Sequence, residues 1–476
     1  MSSHLEMHQR LRSVENGERP HFIGFPSVLH NNDYQPLRIE KVTIHGKTRT
    51  IYDIRRLDNG FPAEGWNNLI TNQSYQPLQK IGAFKSPYIS HNIYATLIDW
   101  MESARPDVWH TIERDIKESK MYPMGDTLLH FLFPEQSSQT RRMFFRAARK
   151  QYHKRWGVYP DFVWLPEMAV NEETLADLIQ EGYKGTILTQ QQIESDKKAP
   201  AYKVATKFGD AIVVISDVGL SNVLAFKDPG AMEFMSWLET AQRDLGYPPT
   251  IAVDGETVGH HRPKAIRLID DLIRYDLPRE VGNGNYDPTI DIDSLPYGKV
   301  VNGSSWSCLC FRRESDTGRE KRHRDGGEAE LAFARWRGTE GCSCGLSDNA
   351  DEAKSVRAIK RDLDTKLKQA TEAMEARMSS KFPKKDSAGL ELWRSDFMQW
   401  FTRELVKLAR GEAMSSDGLR NKDYAENFVL LGMLYNGGTS CSRFFGDPNG
   451  IERRITENNL AAVAEINGWE KIRPAA

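Results

Sequence analysis

Two carboxylic acids stand where apolar runs end. Glu167 closes the run in DFVWLPEMA (161–169), and Asp254 follows TIAV in TIAVDGETVGHHRP (250–263). An acid at the C-terminal end of a short apolar strand points to the face on which α/β barrels build their chemistry. Around the second acid, Gly255 and Gly259 let backbone or substrate come close, and Glu256, His260 and His261 offer hydrogen bonds. Beside the first, Trp164 offers a flat apolar face suited to a sugar ring. Breaking a glycosidic bond needs such a pair of acids. One attacks or stabilises the anomeric carbon while the other protonates the leaving oxygen, and a separation of about 5–5.5 Å gives retention where ~6.5–9.5 Å gives inversion.

Each of these residues also has a plainer reading. Glu167 could cap the helix that starts at Glu172-Glu173, and Asp254 could cap the turn through Gly255. His260-His261, with His30, His130 and Asp254, raises a metal site, yet neither H-x-x-x-H nor H-E-x-x-H spacing occurs there to enforce one. The pairs Cys308/Cys310 and Cys342/Cys344 have one-residue spacers where structural zinc sites use two to four, so they read as reduced thiols near the barrel rim, with Cys441 as a candidate neighbour. Neither a metal nor another cofactor is expected. Asn92 and Gln35, polar among apolar neighbours, either bind substrate or satisfy buried backbone.

The elements that must position the acids follow from periodicity. From about 22 to 301, short β-branched runs alternate with longer amphipathic ones, the pattern of parallel strands joined by crossover helices. Strands are expected at 162–165, 186–188, 211–215 and 251–253, and helices at 140–154, 173–180 and 231–245. Residues 311–350 break the pattern with glycine and mixed charge and read as a solvated connection, because acids interleave with the Lys and Arg between Arg312 and Arg324. Beyond it, Val356, Ile359, Leu363, Leu367, Ala370, Met374 and Met378 form one helical stripe, and Leu390, Trp393, Phe397, Phe401, Leu405 and Leu408 repeat it. The apolar run 428–435 should stop at Asn436-Gly437-Gly438. Trp336, Trp393 and Trp400 fit core packing better than sugar contact.

Composition narrows the partners. The 476 residues call for more than one folding unit, and 64 Lys+Arg against 66 Asp+Glu leave no global field to gather nucleic acid or an anionic membrane. With no apolar span or secretory leader read in the sequence, the expected location is cytoplasmic. Five cysteines, an odd number, argue against a disulfide framework.

WLPE (164–167) and DGETVGHH (254–261) resemble two signature segments of glycoside hydrolase family 57, whose members act on α-glucans and related sugars. HNNDYQP (30–36) resembles that family's opening motif, and ISHNIYATL (89–97) is similar to a stretch in one branch of it. His130 with Pro134, SSWSC (304–308), Arg335-Trp336 with Cys342 and Cys344, and TSC (439–441) with Phe444-Phe445 resemble further segments of that branch, which carries an extra C-terminal domain of unassigned function. The resemblance runs from about residue 28 to 452.

It implies an α/β fold, an incomplete (β/α)7-type barrel followed by a C-terminal α-helical domain. The boundaries expected are 20–305 for the barrel, 306–350 for a cysteine-containing connection and 351–476 for the helices. It also implies a retaining mechanism without metal, on an oligosaccharide or polysaccharide, with activities that include α-amylase and 4-α-glucanotransferase. Carried over by position, Glu167 is the nucleophile and Asp254 the general acid/base, and His30 and His260 bind the sugar in the −1 subsite. Trp164 and Trp306 line the cleft, and Gln35, His130 and Glu256 complete the expected substrate contacts.

Departures from the family pattern fall on binding positions: Asn32 replaces a histidine, Asp33 an apolar or aromatic residue, Leu128 and Leu129 the branch's aromatic and asparagine, and Ser442-Arg443 a Gly-Trp. Two other functions compete, a metal-dependent polysaccharide deacetylase built on His260 and His261, and a carbohydrate-binding descendant without turnover. Amphipathic stripes serve interfaces and intrachain packing equally, so the oligomeric state stays open.

Overall fold

The structure is a computed structural model that describes residues 22–23, 27–31, 39, 41–44, 46–51, 63–287, 289–290, 293–305, 333, 336, 350–387, 389–409, 422–441 and 450–472. Gln35, Trp306, Asn32, Asp33, Ser442, Arg443 and the two cysteine pairs lie outside the described residues.

The parallel strands are β1 (Ser27–Asn31), β2 (Ile89–Ile93), β3 (Phe162–Val163), β4 (Gly185–Thr189), β6 (Gly209–Ser216) and β7 (Ala252–Asp254). Strand β7 pairs with β1 and β1 with β2, so that Asp254 lies beside His30 and His30 beside Asn92. A seventh, minimal segment carries the ring onward through the bridges Asn92↔Met124 and Gly125↔Val163. Strands β3, β4 and β6 follow in parallel register, and the bridge Ser216↔Thr250 leads back to β7. Seven segments thus close a barrel whose joints are partly single bridges.

Helices cover most crossovers: α1 (Ala63–Ile70), α2 (Ala95–Ala104), α3 (Pro106–Ser119), α4 (Ser138–Trp156), α5 (Glu172–Gln180), α6 (Val218–Phe226) and α7 (Ala231–Leu245). Local chemistry sets their ends. In α4, the Ser137 side chain accepts from Thr140 N at the start, while Gly157 stops the helix at φ +77° behind His153, Lys154 and Arg155. One crossover differs from the uniform alternation expected. Between β4 and β6 the chain runs through β5 (Ala201–Thr206), which turns back at Gly209 and pairs antiparallel with β6.

Strand β3 is shorter than the sequence suggested. Pro166 has no N–H for a ladder, and the backbone leaves the sheet just before it. Strand β7 lies one residue later than expected, which brings Asp254 into register with His30.

The C-terminal part consists of α8 (Ala350–Lys381), α9 (Leu392–Ala409), α10 (Lys422–Gly437) and α11 (Ile451–Asn467). The stripe read from sequence is the buried face of α8, from Val356 through Leu363, Leu367, Ala370 and Met374 to Met378, with Ile359 half-buried. Trp336, Trp393 and Trp400 are buried, as core aromatics should be. The main apolar core runs from Leu29 in the barrel through Phe144 to Phe397, Leu434 and Val463, and a small second cluster joins Leu132, Ala169, Phe333 and Trp336. At the joint, Phe131 and Phe144 stand edge-on with centroids 4.9 Å apart, and Tyr435 meets Phe144 at 5.3 Å. No helix among the described residues is long and apolar enough to cross a membrane.

Candidate active site

The C-terminal ends of the barrel strands bring His30, Asn92 and Asp254 to one face, and the loops after them add His130 and Glu167. Glu167 sits in the turn Pro166–Met168 with φ +59° and ψ 12°, and Met168 follows at φ +50°. Left-handed backbone in two successive side-chain-bearing residues costs about 1–3 kcal/mol each, and the surroundings must hold it. They do so through the backbone carbonyls. Ser305 donates to the Glu167 carbonyl from both N and Oγ at 3.0 Å, and Gln192 Nε2 donates to the Met168 carbonyl at 2.7 Å. The turn aims the Glu167 side chain inward, where Ser440 Oγ donates to Oε1 at 2.7 Å and His130 Nδ1 lies 3.7 Å away.

Helix capping is not what occupies either acid. The N-cap of α5 is Asn171, whose side chain accepts from Thr174 N. Asp254 precedes a short 3-10 turn, Gly255–Thr257, and makes no side-chain cap bond to it.

His30 and His130 pack beneath the carboxylates. His30 Nδ1 meets Asn92 Oδ1 at 2.7 Å, its Nε2 meets His130 Nε2 at 3.2 Å, and its ring stacks on Trp164 at 4.7 Å. Burial is the main reason both rings resist protonation. It lowers His30 to about 4, against opposing help from Asn92 and Glu256, and holds His130 well below the ordinary histidine range. Asn92, left open between two roles, serves the buried one by also donating to the Gly125 carbonyl at 2.9 Å.

Asp254 behaves oppositely. Its carboxyl is pushed up to about 7, first by burial, then by the negative charges of Glu256 and Glu167, with His261 opposing. Solvent nevertheless reaches Asp254, which is exposed at the end of β7. Both fit a group on the floor of an open cleft, with protein on most sides and water on one, and the open side moderates the burial effect. A group of this kind changes charge near neutral pH.

The remaining residues divide. Glu256 accepts from His261 Nε2 at 3.3 Å, and this pair lies within electrostatic reach of Asp254. His260 turns elsewhere: its Nδ1 meets Gln73 Oε1 at 2.6 Å and its ring stands edge-on to Trp66. Gly255 and Gly259 are needed, but for packing within the chain. A Cβ on Gly255 would meet Asn31 Oδ1 at 2.0 Å, and one on Gly259, at φ +109°, would meet the Gln73 carbonyl at 2.0 Å. Among the described residues no group of three or more His, Cys, Asp or Glu is arranged to hold a metal ion.

Sequence reading did not single out Ser440, Ser305, Gln73 or Tyr94. Ser440, Ser305 and Tyr94 lay inside the family-like segments TSC, SSWSC and ISHNIYATL, which mark stretches rather than single residues, and Gln73 lay in none of them. Tyr94 meets His30 edge-on at 5.4 Å and Thr127 Oγ1 at 3.1 Å.

The profile of glycosyl hydrolase family 57 matches residues 6–285 of the 476. The chain belongs to this family. It is therefore a glycoside hydrolase by descent and by fold. No curated protein sequence matches it. Among solved structures, a maltose-forming exo-amylase from Pyrococcus sp. ST04 is similar with a TM-score of 0.60 at 14% identity, covering 94% of this chain and 80% of that one. A 4-α-glucanotransferase from Thermococcus litoralis gives 0.52 at 13%, covering 92% of this chain and 59% of that one. A family 57 branching enzyme from Thermococcus kodakaraensis gives 0.51 at 12% and 94% of both chains. At such identities the likeness is one of fold, the incomplete (β/α)7 barrel with helices packed after it.

Proposed function

We propose that this family 57 member is a retaining glycoside hydrolase or transglycosylase acting on α-linked glucans or oligosaccharides, with Glu167 as nucleophile and Asp254 as general acid/base. The observation that carries the reading is the contrast between the two carboxyls. Asp254 is pushed toward the protonated form a general acid needs. Glu167 is held by a strained turn with its Oε1 2.7 Å from the Ser440 hydroxyl, a placement that suits a nucleophile. Attack by Glu167 on the anomeric carbon, with Asp254 giving its proton to the leaving oxygen, forms a glycosyl ester. Asp254 then takes a proton from water or from a sugar hydroxyl, which displaces Glu167.

Residues 20–305 supply the reacting groups in this reading, 306–350 the connection and 351–476 one wall, in a cytoplasmic protein. His30 and Trp164 are stacked on each other, so an incoming sugar meets them as one unit. Trp164 Nε1, buried without a hydrogen-bond partner among the described residues, suits a sugar hydroxyl. His260, on the rim with Trp66 and Gln73, fits a contact further from the cleaved bond. The α-glucan substrate is supported by the amylase and glucanotransferase structures that share the fold. No observation favours deacetylation, because His260 and His261 turn to Gln73 and Glu256.

The test is turnover of short α-linked oligosaccharides and aryl glycosides, with and without chelator, by wild type and Glu167→Gln. Loss of at least about a thousandfold in the variant, ~4 kcal/mol of transition-state stabilisation, with no effect of chelator, is expected. Products of unchanged anomeric configuration are expected as well. Sugar binding without turnover, equal in both proteins, would instead identify a binding descendant.

A further inference from the structure

A line of short contacts runs from the barrel floor to Glu167. Asn92 Nδ2 donates to the Gly125 carbonyl, which fixes Oδ1 toward His30 Nδ1. From there the contacts are His30 Nε2 to His130 Nε2 at 3.2 Å, His130 Nδ1 to Ser440 Oγ at 2.7 Å, and Ser440 Oγ to Glu167 Oε1 at 2.7 Å. Counting from Asn92 Oδ1, these are four contacts. Each joins two atoms that both carry lone pairs, so each needs one hydrogen between them. Two neutral imidazoles and one hydroxyl supply three, and an ionised carboxylate supplies none. The line therefore holds one proton more than neutral histidines beside a Glu167 carboxylate would bring.

Three arrangements satisfy all four contacts, and they differ in whether Glu167, His130 or His30 carries the extra proton. In one, Glu167 is a carboxylic acid that donates to Ser440, and Ser440 donates to His130. In a second, His130 is an imidazolium that donates to Ser440, and Ser440 donates to the Glu167 carboxylate. Both leave His30 with its proton on Nδ1 and His130 with a proton on Nε2; in the third, His30 is the imidazolium, donating to Asn92 and to His130, and His130 donates its one proton from Nδ1 to Ser440.

We propose that Ser440 is a positioning residue, supplied by the C-terminal helical region, that passes this proton between Glu167 and His130, so that Glu167 becomes a nucleophile as His130 becomes an imidazolium. The proposal rests on the reading of Glu167 as nucleophile. The transfer balances: the Glu167 proton goes to Ser440 Oγ, and the Ser440 hydroxyl proton goes to His130 Nδ1. In the glycosyl ester the imidazolium remains, and its reversal is open when Glu167 leaves again.

Other groups that face the line are Asp254 across the cleft, Glu256 toward His30, and Tyr94, which feels Asp126, Glu167 and Cys441. Burial opposes a charge on either imidazole. The segment carrying Ser440 is itself held in place, since Ser440 N donates to the His130 carbonyl at 2.6 Å and Thr439 bridges Phe131.

The experiment combines ring-nitrogen resonances of 15N-histidine-labelled protein with kinetics, on wild type, Ser440→Ala and Ser440→Thr. Glu167→Gln should shift the His130 Nδ1 resonance when Ser440 is present and leave it in place in the Ser440→Ala background. Ser440→Ala should lower kcat by about 10- to 100-fold with KM changed less than about threefold, move the acid limb of the kcat profile, and be largely restored by Ser440→Thr. A His130 resonance blind to Glu167→Gln while Ser440 is present overturns the relay, as does an unchanged kcat and pH profile in Ser440→Ala. If wild type turns over no glycan, the resonance arm still decides the relay and only the nucleophile reading falls.

Discussion

At the scale of single residues, Asp254 carries the clearest pH signature. A general acid works only while protonated, so kcat/KM should fall about tenfold per pH unit above roughly 7, the value to which Asp254 is raised. The same shift has a stability side. The folded state binds this proton more tightly than the unfolded chain, so the group's contribution is complete below the ordinary aspartate range and is lost as pH rises through about 7. Asp254→Asn, which cannot ionise, should therefore melt higher than wild type at pH 8 and equal to it near pH 4. Because solvent reaches the carboxyl, the expected gain is on the order of 1 kcal/mol, well below what the full shift would give. Thermal melts at the two pH values check the sign.

At the scale of elements, the site depends on close backbone approach. The β1 and β7 strand ends meet where Asn31 Oδ1 occupies the space of a Cβ on Gly255. Gly255→Ala should push the strand ends apart and destabilise the protein by about 1–3 kcal/mol, with activity falling further than stability because Asp254 moves with the turn. Denaturant unfolding beside kcat measurement separates the two losses. The turn at Pro166–Met168 stores strain that Ser305 helps to hold. Removing that hydroxyl with Ser305→Ala leaves its backbone N–H bond and should lower kcat several-fold, by about 1 kcal/mol, with KM nearly unchanged.

At the scale of the whole molecule, the C-terminal helices are built into the barrel. Glu375 in α8 accepts from Thr140 of α4 at 2.8 Å, from Arg394 of α9 at 3.1 Å and from Tyr435 of α10 at 2.5 Å. Removing it leaves Arg394, which is 3% exposed, with Glu391 as its remaining acidic partner. Glu375→Ala should cost about 3–5 kcal/mol. Since Trp109 and Trp156 report on the barrel and Trp393 and Trp400 on the helices, all within one core, melting followed by tryptophan fluorescence and by circular dichroism should coincide. A chain cut after residue 349 should be insoluble when expressed, because it exposes the faces of Phe131 and Phe144.

Periodicity and local chemistry made much of this molecule legible in the sequence. The helices around 140–154, 173–180 and 231–245, the stripe of α8 and the buried tryptophans follow from spacing that any packed helix must obey. Glu167 and Asp254 stood out because an acid after an apolar run is conspicuous. Other features depended on contacts between residues far apart in the chain. The antiparallel detour through β5 interrupts the expected alternation of strands with crossover helices, His260 turns to Gln73, and Ser440 reaches Glu167 across 273 positions. A sequence fixes which groups can donate, accept or ionise, since that is a property of each side chain. Which donor faces which acceptor, and which acid is raised toward neutrality, is decided only when packing brings them together and excludes water around them.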